Sequence, residues 1–415
     1  MISISPGATF GAWRELSRPT RRLLLVLGAT CLFEGYTRSI VGVALPQIRE
    51  TFDLSQAQAS AWLTVVYLGA LPALALCRVA DRSGRRRVLG ISIIGFTVAT
   101  ALTGVAPNMA SFVACQFTAR VFLNAETAIV WTIATEEAPN DRRGIVFGFL
   151  AMNEALGIGL AAILFGGFLA PLHLSWRLLY LVTIPVLVLV GFMRRQLPTI
   201  ETTPAHIGGT LVTRWHDLFT GGRRRIVVLV LTATLLFELT AQAATFALDF
   251  LQTDRGLSAS TAIVLLILAG LPGIPLMIKA GDLSDRYGRR IVACGFASLS
   301  ICAAVVFFWA PGGIPVLLPS LAVMVAGQLA AWPILEGYAT EVFPAELRSQ
   351  AAAWAIVARV IGSSISLGIG GILIATTGSL SASVTILALG PLAAIAIVAT
   401  RFPDTHNREL ADIVP

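Results

Sequence analysis

Charge is scarce in this chain. Only 13% of its 415 residues are Asp, Glu, Lys or Arg, while 56% are hydrophobic. A water-soluble protein of this length needs a far more charged surface, so a soluble fold is excluded. Lysine is all but missing. Lys279 is the single one, and Ile278 precedes it, so no G-K-[ST] phosphate loop exists and ATP drive is disfavoured. Histidine is confined to His173, His206, His216 and His406, all outside the apolar runs. Intramembrane zinc or histidine-based catalysis therefore has no candidates, and no metal, cofactor or enzymatic activity is expected. The five cysteines (Cys31, Cys77, Cys115, Cys294, Cys302) lie in apolar runs, and no spacing among them suggests a disulfide framework or a metal site. They read as small core residues. Alternation of polar and apolar residues over about ten positions is also absent, which argues against a transmembrane barrel.

What the chain does have is a succession of apolar stretches, most about 20 residues or longer, the length an apolar helix needs to cross a bilayer. Twelve spans are expected, near 22–46, 58–80, 88–106, 110–134, 145–170, 175–193, 226–252, 259–280, 290–310, 314–339, 350–376 and 381–400. The fold class is an all-α polytopic membrane protein. Residues 1–21 are polar and Arg-bearing without a convincing cleavage site, so the first span is read as retained. Arginine placement sets the orientation. Arg49, Arg177 and Arg255 lie in or beside the odd-to-even loops, and Arg38, Arg120 and Arg359 lie inside spans. The rest of the 30 Lys and Arg residues fall in the termini, the even-to-odd loops and the span ends beside them. Basic loops stay cytoplasmic, so both termini are expected inside a cell (inner) membrane. The net charge of +7 thus reports topology, and no basic surface remains for nucleic acid.

The sequence repeats itself. Leu32-Phe33-Glu34 recurs as Leu236-Phe237-Glu238, 204 positions on. Asp81-Arg82-Ser83-Gly84-Arg85-Arg86 follows the second span, and Asp285-Arg286-Tyr287-Gly288-Arg289-Arg290 follows the eighth at the same offset. After the fourth span stands Glu136-Glu137-Ala138-Pro139-Asn140-Asp141-Arg142-Arg143, and after the tenth Glu341-Val342-Phe343-Pro344-Ala345-Glu346-Leu347-Arg348. Three motifs at nearly one offset mark a duplication. The expected domains are a six-helix half over 1–196, a cytoplasmic linker over 197–225 carrying Arg223-Arg224-Arg225, and a second six-helix half over 226–415.

The doubled D-R-x-G-R-R loop, with E-x-x-P-x-x-x-R after the fourth span of a half, resembles the major facilitator superfamily of secondary transporters over essentially the whole chain. It departs from the superfamily's motif at Cys77, where glycine is usual; the second copy keeps Gly281. The resemblance implies two pseudo-symmetric six-helix bundles, alternating access, and a cytoplasmic gate in which Asp81 faces the eleventh span and Asp285 the fifth. A carboxylate at a helix amino terminus is favoured by the dipole there. The gate would comprise Asp81, Arg82, Gly84, Arg85, Arg86, Asp285, Arg286, Gly288, Arg289 and Arg290, with Glu136, Arg143, Glu341 and Arg348 supplying further charge. The resemblance also implies that spans 1, 4, 7 and 10 line a central cavity.

A charge at mid-helix costs ~2.5–3.5 kcal/mol on insertion scales, so each one needs a reason. Glu34, Arg38, Arg120, Glu126, Glu154, Glu238, Glu336 and Arg359 are such charges. Glu34 and Arg38 are one turn apart and can pair within their helix. Arg120 and Glu126 lie about 240° apart around theirs and must find partners elsewhere, Glu34 being one option for Arg120. No cation stands within a turn of Glu238, whose i+4 neighbour is Gln242. Glu238 is therefore the leading proton-coupling candidate, with Glu34 and Glu126. Arg38 and Arg120 are the candidates for an anionic substrate, because guanidinium forks match carboxylates. Tyr36, Trp131, Trp332 and Gln242 complete the substrate-site candidates, although aromatics on spans more often pack or face lipid. Glu154 and Arg359 stand at equivalent positions with opposite sign and are expected to stabilise contact between the halves.

The fifth span reads Gly157-Ile158-Gly159-Leu160, without the Gly-Pro pair usual in the superfamily's efflux antiporters. The chain beyond the twelfth span reads Phe402-Pro403-Asp404-Thr405, similar to the Pro-Glu-Thr closing motif of its symporters. The expected function is proton-coupled symport of a small organic solute, an organic acid being one option, by a functional monomer in the bilayer. Proton-driven drug or metabolite efflux is the alternative within transport. A non-transporting sensor on the same fold is the alternative outside it.

Overall fold

The computed structural model describes residues 18–83, 85–137, 143–185, 224–341 and 348–402. These residues form helices joined by short turns, with no strand among them. Ten helices among the described residues are long and apolar enough to cross a membrane, and they correspond to expected spans 1, 2, 3, 5 and 7–12. The fourth expected span is the 29-residue helix Met109–Glu137, made less apolar by Gln116, Arg120, Asn124 and Glu126. The sixth starts with the short helix Arg177–Leu181, and its later part lies outside the described residues, as does the 197–223 stretch of the expected linker.

Local chemistry explains the helix ends. Ser55 and Gln58 form a reciprocal capping box at the start of Gln56–Leu68: the Gln58 amide donates to Ser55 Oγ (3.2 Å), and the Ser55 amide donates to Gln58 Oε1 (3.0 Å). Ser258 and Ser379 cap Ala259–Gly270 and Leu380–Leu387 in the simpler one-bond way. Gly288, inside the second basic loop motif, has φ 91°, a backbone conformation that favours glycine. It closes Gly273–Tyr287 by donating to the Ser284 carbonyl and lets Arg289–Trp309 start at the next residue. That turn is the physical reason for the motif's glycine. Gly281, by contrast, has open space where a Cβ would go, so a side chain at the equivalent Cys77 meets no packing objection of that kind.

The described chain divides into two compact units. One holds the residues before Leu45 and those from Pro72 to the end of the first half. The other holds Leu45–Leu71 together with the second half. The division in space thus departs from the division in sequence at one place, within the second span. There the helix Gln56–Leu68 gives way to turns at Gly69–Leu71 before Ala73–Ser83 begins. Pro72, which has no amide hydrogen to donate, follows that turn.

In the first unit the first helix (Arg18–Val43) packs most extensively against the fifth (Arg143–Ile163). Glycine makes the contact backbone-close. A Cβ on Gly157 would stand 1.8 Å from the Leu32 carbonyl oxygen, and one on Gly35 would stand 2.0 Å from that of Glu154. Leu24, Leu27, Cys31, Phe96, Val130 and Leu150 are buried together around this seam. Cys31 is thereby a core residue, as its composition implied. On the third span Ile91, Ile94, Val98 and Leu102 are exposed at helical spacing, an outward apolar stripe suited to lipid. In the second unit the seventh span packs against the eleventh (Arg348–Thr377), with the duplicated glycine, Gly362, 2.5 Å (as a Cβ) from the Leu235 carbonyl. The eleventh helix also carries Gln56–Leu68 on another side. Ser60 Oγ donates to the Leu367 carbonyl at 2.7 Å, and a Cβ on Gly371 would lie 2.9 Å from the Ala57 carbonyl.

Candidate functional site

The close first–fifth seam brings three intramembrane charges of the first unit together. Glu34 is 0% exposed and pairs with Arg38, one turn on, as the spacing predicts. Thr127 Oγ1 from the fourth span donates to the same carboxylate. Arg38 Nη1 lies 3.6 Å from Glu154 on the fifth span, so one guanidinium stands between two carboxylates. Glu126, on the same helix as Thr127, is 1% exposed, and neither of its carboxyl oxygens has a hydrogen-bond partner among the described residues. Its like-charged neighbour is Glu34. Arg120 is 9% exposed and close enough to act electrostatically on Glu34 and Tyr180.

Two first-unit substrate candidates make structural contacts. Tyr36 is 1% exposed, and its hydroxyl donates to the Leu179 carbonyl at 2.7 Å, tying the first span to the sixth. Trp131 packs, half-buried, against the core cluster that lines the seam.

In the second unit the seventh span is not one continuous α-helix. It runs as Arg224–Phe237, a 3₁₀ turn Glu238–Thr240, then Ala241–Asp249. The break falls at the duplicated carboxylate. Ser363 Oγ donates to Glu238 Oε2 at 2.7 Å, and Arg359 Nε lies 3.6 Å from Glu238 Oε1. As the spacing implies, its own helix places no cation within a turn of Glu238; the eleventh supplies one, at a separation in sequence that no local spacing rule covers. Each stays within its own unit: Glu154 faces Arg38 of the first span, and Arg359 faces Glu238 of the seventh. The Arg359 guanidinium carbon also lies over the Trp332 ring, 4.9 Å from its centroid. Gln242, the remaining substrate candidate, is 0% exposed. Its backbone N–H donates to Ser366 Oγ (3.1 Å), and its side-chain Oε1 accepts from Ser383 Oγ (2.8 Å). It fastens the helix break to the eleventh and twelfth spans.

A further ionic site escaped the sequence reading. Arg49 Nη1 donates to both oxygens of Asp249, at 2.5 and 2.6 Å, and Gln56 Nε2 donates to Asp249 Oδ2 at 2.9 Å. Asp249 is 0% exposed. Gln47 Nε2 donates to Gln252 Oε1 at 2.7 Å beside it. Here Leu45–Leu71 is fastened to the end of the seventh span. The available signal was Asp249 itself, a charge within the seventh span without a local cation.

Most of the expected gate falls elsewhere. The side chains of Asp81, Arg82, Arg85, Arg86, Glu136, Arg143, Asp285, Glu336, Glu341 and Arg348, and all of Gly84, lie outside the described residues. Of the others, Arg286 is exposed, and Arg290 Nη1 donates to the Phe402 carbonyl at 3.2 Å.

Comparison with known proteins converges on one family. A family profile described as Major Facilitator Superfamily matches residues 27–365 and again 228–412. The niacin transporter NiaP of Acinetobacter baylyi is 25% identical over 377 residues, covering 80% of this chain and 82% of that protein. The gallate transporter of Pseudomonas putida is 26% identical over 413 residues, covering 88% and 90%. Among solved structures, the inward-open conformation of the xylose transporter XylE from E. coli superposes with a TM-score of 0.73 at 18% identity, covering 94% of this chain and 98% of that one. The duplicated helical architecture, the charges buried inside it and these matches lead to one assignment: the chain belongs to the Major Facilitator Superfamily, a multi-pass membrane protein that acts as a secondary transporter and not as an enzyme.

Proposed function

We propose that the protein is a proton-coupled symporter of a small organic acid, set in a cell membrane with both termini cytoplasmic. The observation that carries the proton coupling is Glu126. This carboxyl is buried in a membrane span, lies beside a second buried carboxyl, Glu34, and has no ion-pair or hydrogen-bond partner among the described residues. Glu34 has Arg38. For Glu126, a proton is what can balance the charge, so loading and unloading it couples to rearrangement of the helices around it. This moves the leading role from Glu238, which has Arg359 and Ser363 beside it. Organic acids as the substrate class are supported by the transporters of niacin and gallate among the relatives and by the guanidinium groups held inside spans.

The test is flux in proteoliposomes. With a pH gradient, acidic outside, the parent should accumulate labelled nicotinate or benzoate. Glu126→Gln should lose that accumulation yet retain substrate counterflow at equal pH, because exchange needs no net proton movement. Undiminished gradient-driven accumulation by Glu126→Gln would remove Glu126 from the coupling. Accumulation driven by the opposite gradient would favour the efflux alternative.

A further inference from the structure

We propose that the third span carries a proton-access track: its buried hydroxyls, Ser92, Thr97, Thr100 and Thr103, pass protons to Glu126 through the interior of the first unit. The proposal rests on the reading of Glu126 as the coupling carboxyl and adds the way a proton reaches it.

The track is written in the third-span helix, Arg85–Gly104. Its outward stripe is apolar, whereas these four hydroxyl residues are between 0% and 3% exposed. They stand three to five residues apart and share about 140° of the helix circumference. A hydroxyl in an apolar helix ordinarily bonds back to the carbonyl four residues earlier. Thr97 does so to Ile93 (2.8 Å) and Thr103 to Ala99 (2.9 Å). Ser92 and Thr100 do not. Both are 0% exposed, and neither hydroxyl has a hydrogen-bond partner among the described residues. Buried polar groups of this kind are the ones that ordered water satisfies.

Packing brings the track to Glu126. The third span packs most extensively against the fourth, Met109–Glu137, which runs antiparallel to it. Gln116 Nε2 donates to Thr103 Oγ1 at 3.1 Å and fixes the register. Both helices rise by the same amount per residue, so each step back along one is a step forward along the other. Thr100 then falls across from Ala119, Phe96 across from Leu123, and Ser92 across from Glu126 and Thr127. Two contacts keep that register: Phe96 and Leu123 are buried in one cluster, and a Cβ on Gly95 would stand 2.6 Å from the Phe122 ring. Ser92 and Glu126, both buried and both without a hydrogen-bond partner among the described residues, thus face each other across one seam. Tyr180, on the short sixth-span helix that packs against the third, adds another fully buried hydroxyl without such a partner. Its ring lies 6.1 Å from that of Phe112, one turn before Gln116.

The chemistry suits a relay. A hydroxyl both donates and accepts, so hydroxyls and the waters between them each take a proton on one side and release one on the other. The net change is one proton moved and the Glu126 carboxylate converted to the acid. The third span contributes no charge after Arg87 that would trap the proton on its way. Thr103 is the last residue before the helix-ending Gly104, and Pro107 and Asn108 beyond it are exposed. With both termini cytoplasmic, that end faces outside, where a symporter collects its protons.

The experiment follows proton influx with a pH-sensitive dye inside proteoliposomes when nicotinate or benzoate is added, beside counterflow of the same acid at equal pH. The Ser92→Ala/Thr100→Val variant should slow proton influx and gradient-driven uptake several-fold while counterflow keeps the parent rate. Thr100→Ser keeps the hydroxyl and should stay at the parent rate in every readout. Thr118→Val, which removes an exposed hydroxyl bonded to its own helix, should do the same. Parent-like proton influx in Ser92→Ala/Thr100→Val, with Glu126→Gln devoid of it, overturns the track and leaves the Glu126 reading standing. Equal loss of influx and counterflow marks a structural role and overturns it as well. Undiminished proton influx in Glu126→Gln overturns the coupling reading, and this proposal with it.

Discussion

Replacing Arg49 by methionine removes a charge while keeping most of the side chain's reach, and it strands Asp249. That carboxylate is 0% exposed and takes two hydrogen bonds from Arg49 and one from Gln56. Breaking a buried ion pair from one side typically costs ~3–5 kcal/mol, because the remaining charge keeps its burial and loses its partner. Replacing both partners by apolar residues is instead near neutral, and often stabilising. Arg49→Met should therefore lower the melting temperature markedly, and Arg49→Met/Asp249→Leu should recover most of the loss. At roughly 2–4 °C per kcal/mol for a unit of about this size, the single variant should melt roughly 6–20 °C below the parent. The assay is tryptophan-fluorescence melting of purified protein at one fixed scan rate, since unfolding of such proteins is commonly irreversible and scan-rate dependent. The four proteins, Asp249→Leu included, form a double-mutant cycle whose expected coupling is about 3 kcal/mol. A single Arg49→Met variant that melts with the parent, or a cycle that is simply additive, would refute the claim that this pair fastens Leu45–Leu71 to the second unit.

Packing and framework predictions follow from the same contacts. Gly157→Val should abolish a monodisperse size-exclusion peak, because even a Cβ there meets the Leu32 carbonyl at 1.8 Å; Gly159→Ala, with nothing within 4 Å, should fold normally and gain up to about 1 kcal/mol of helix propensity. Tyr36→Phe loses its bond to the Leu179 carbonyl and should lower stability by about 1–3 kcal/mol while leaving benzoate affinity unchanged, which a melt and a binding titration read separately. Gln242→Leu keeps the backbone bond to Ser366 but loses the side-chain bond from Ser383, and so should weaken the attachment of the helix break to the twelfth span. It should speed amide hydrogen exchange at residues 238–246 before it alters exchange in the first unit.

Much of the architecture was legible because it is written in short-range chemistry. Apolar length over a span is a property of consecutive residues, and the bilayer turns it directly into a helix. The nearly constant offset between the motifs exposed the duplication, and it reappears in space as Gly157 and Gly362, each letting two backbones touch within its own unit. The Glu34–Arg38 pair was readable because a helix places residues four apart on one face.

Only the tertiary structure decided where the remaining buried charges go. Glu154 meets Arg38, Arg359 meets Glu238 and Trp332, and Arg49 meets Asp249. Each pairing joins different helices, and its geometry depends on how closely two backbones approach and how each helix is rotated. Glycine contacts and side-chain packing set both quantities, and neither has a period in the sequence. The same reason explains why the bonds of Tyr36 to the Leu179 carbonyl and of Gln242 to Ser383 were not legible in the sequence. A polar side chain on an apolar helix declares that it needs a partner, and packing alone determines which partner that is.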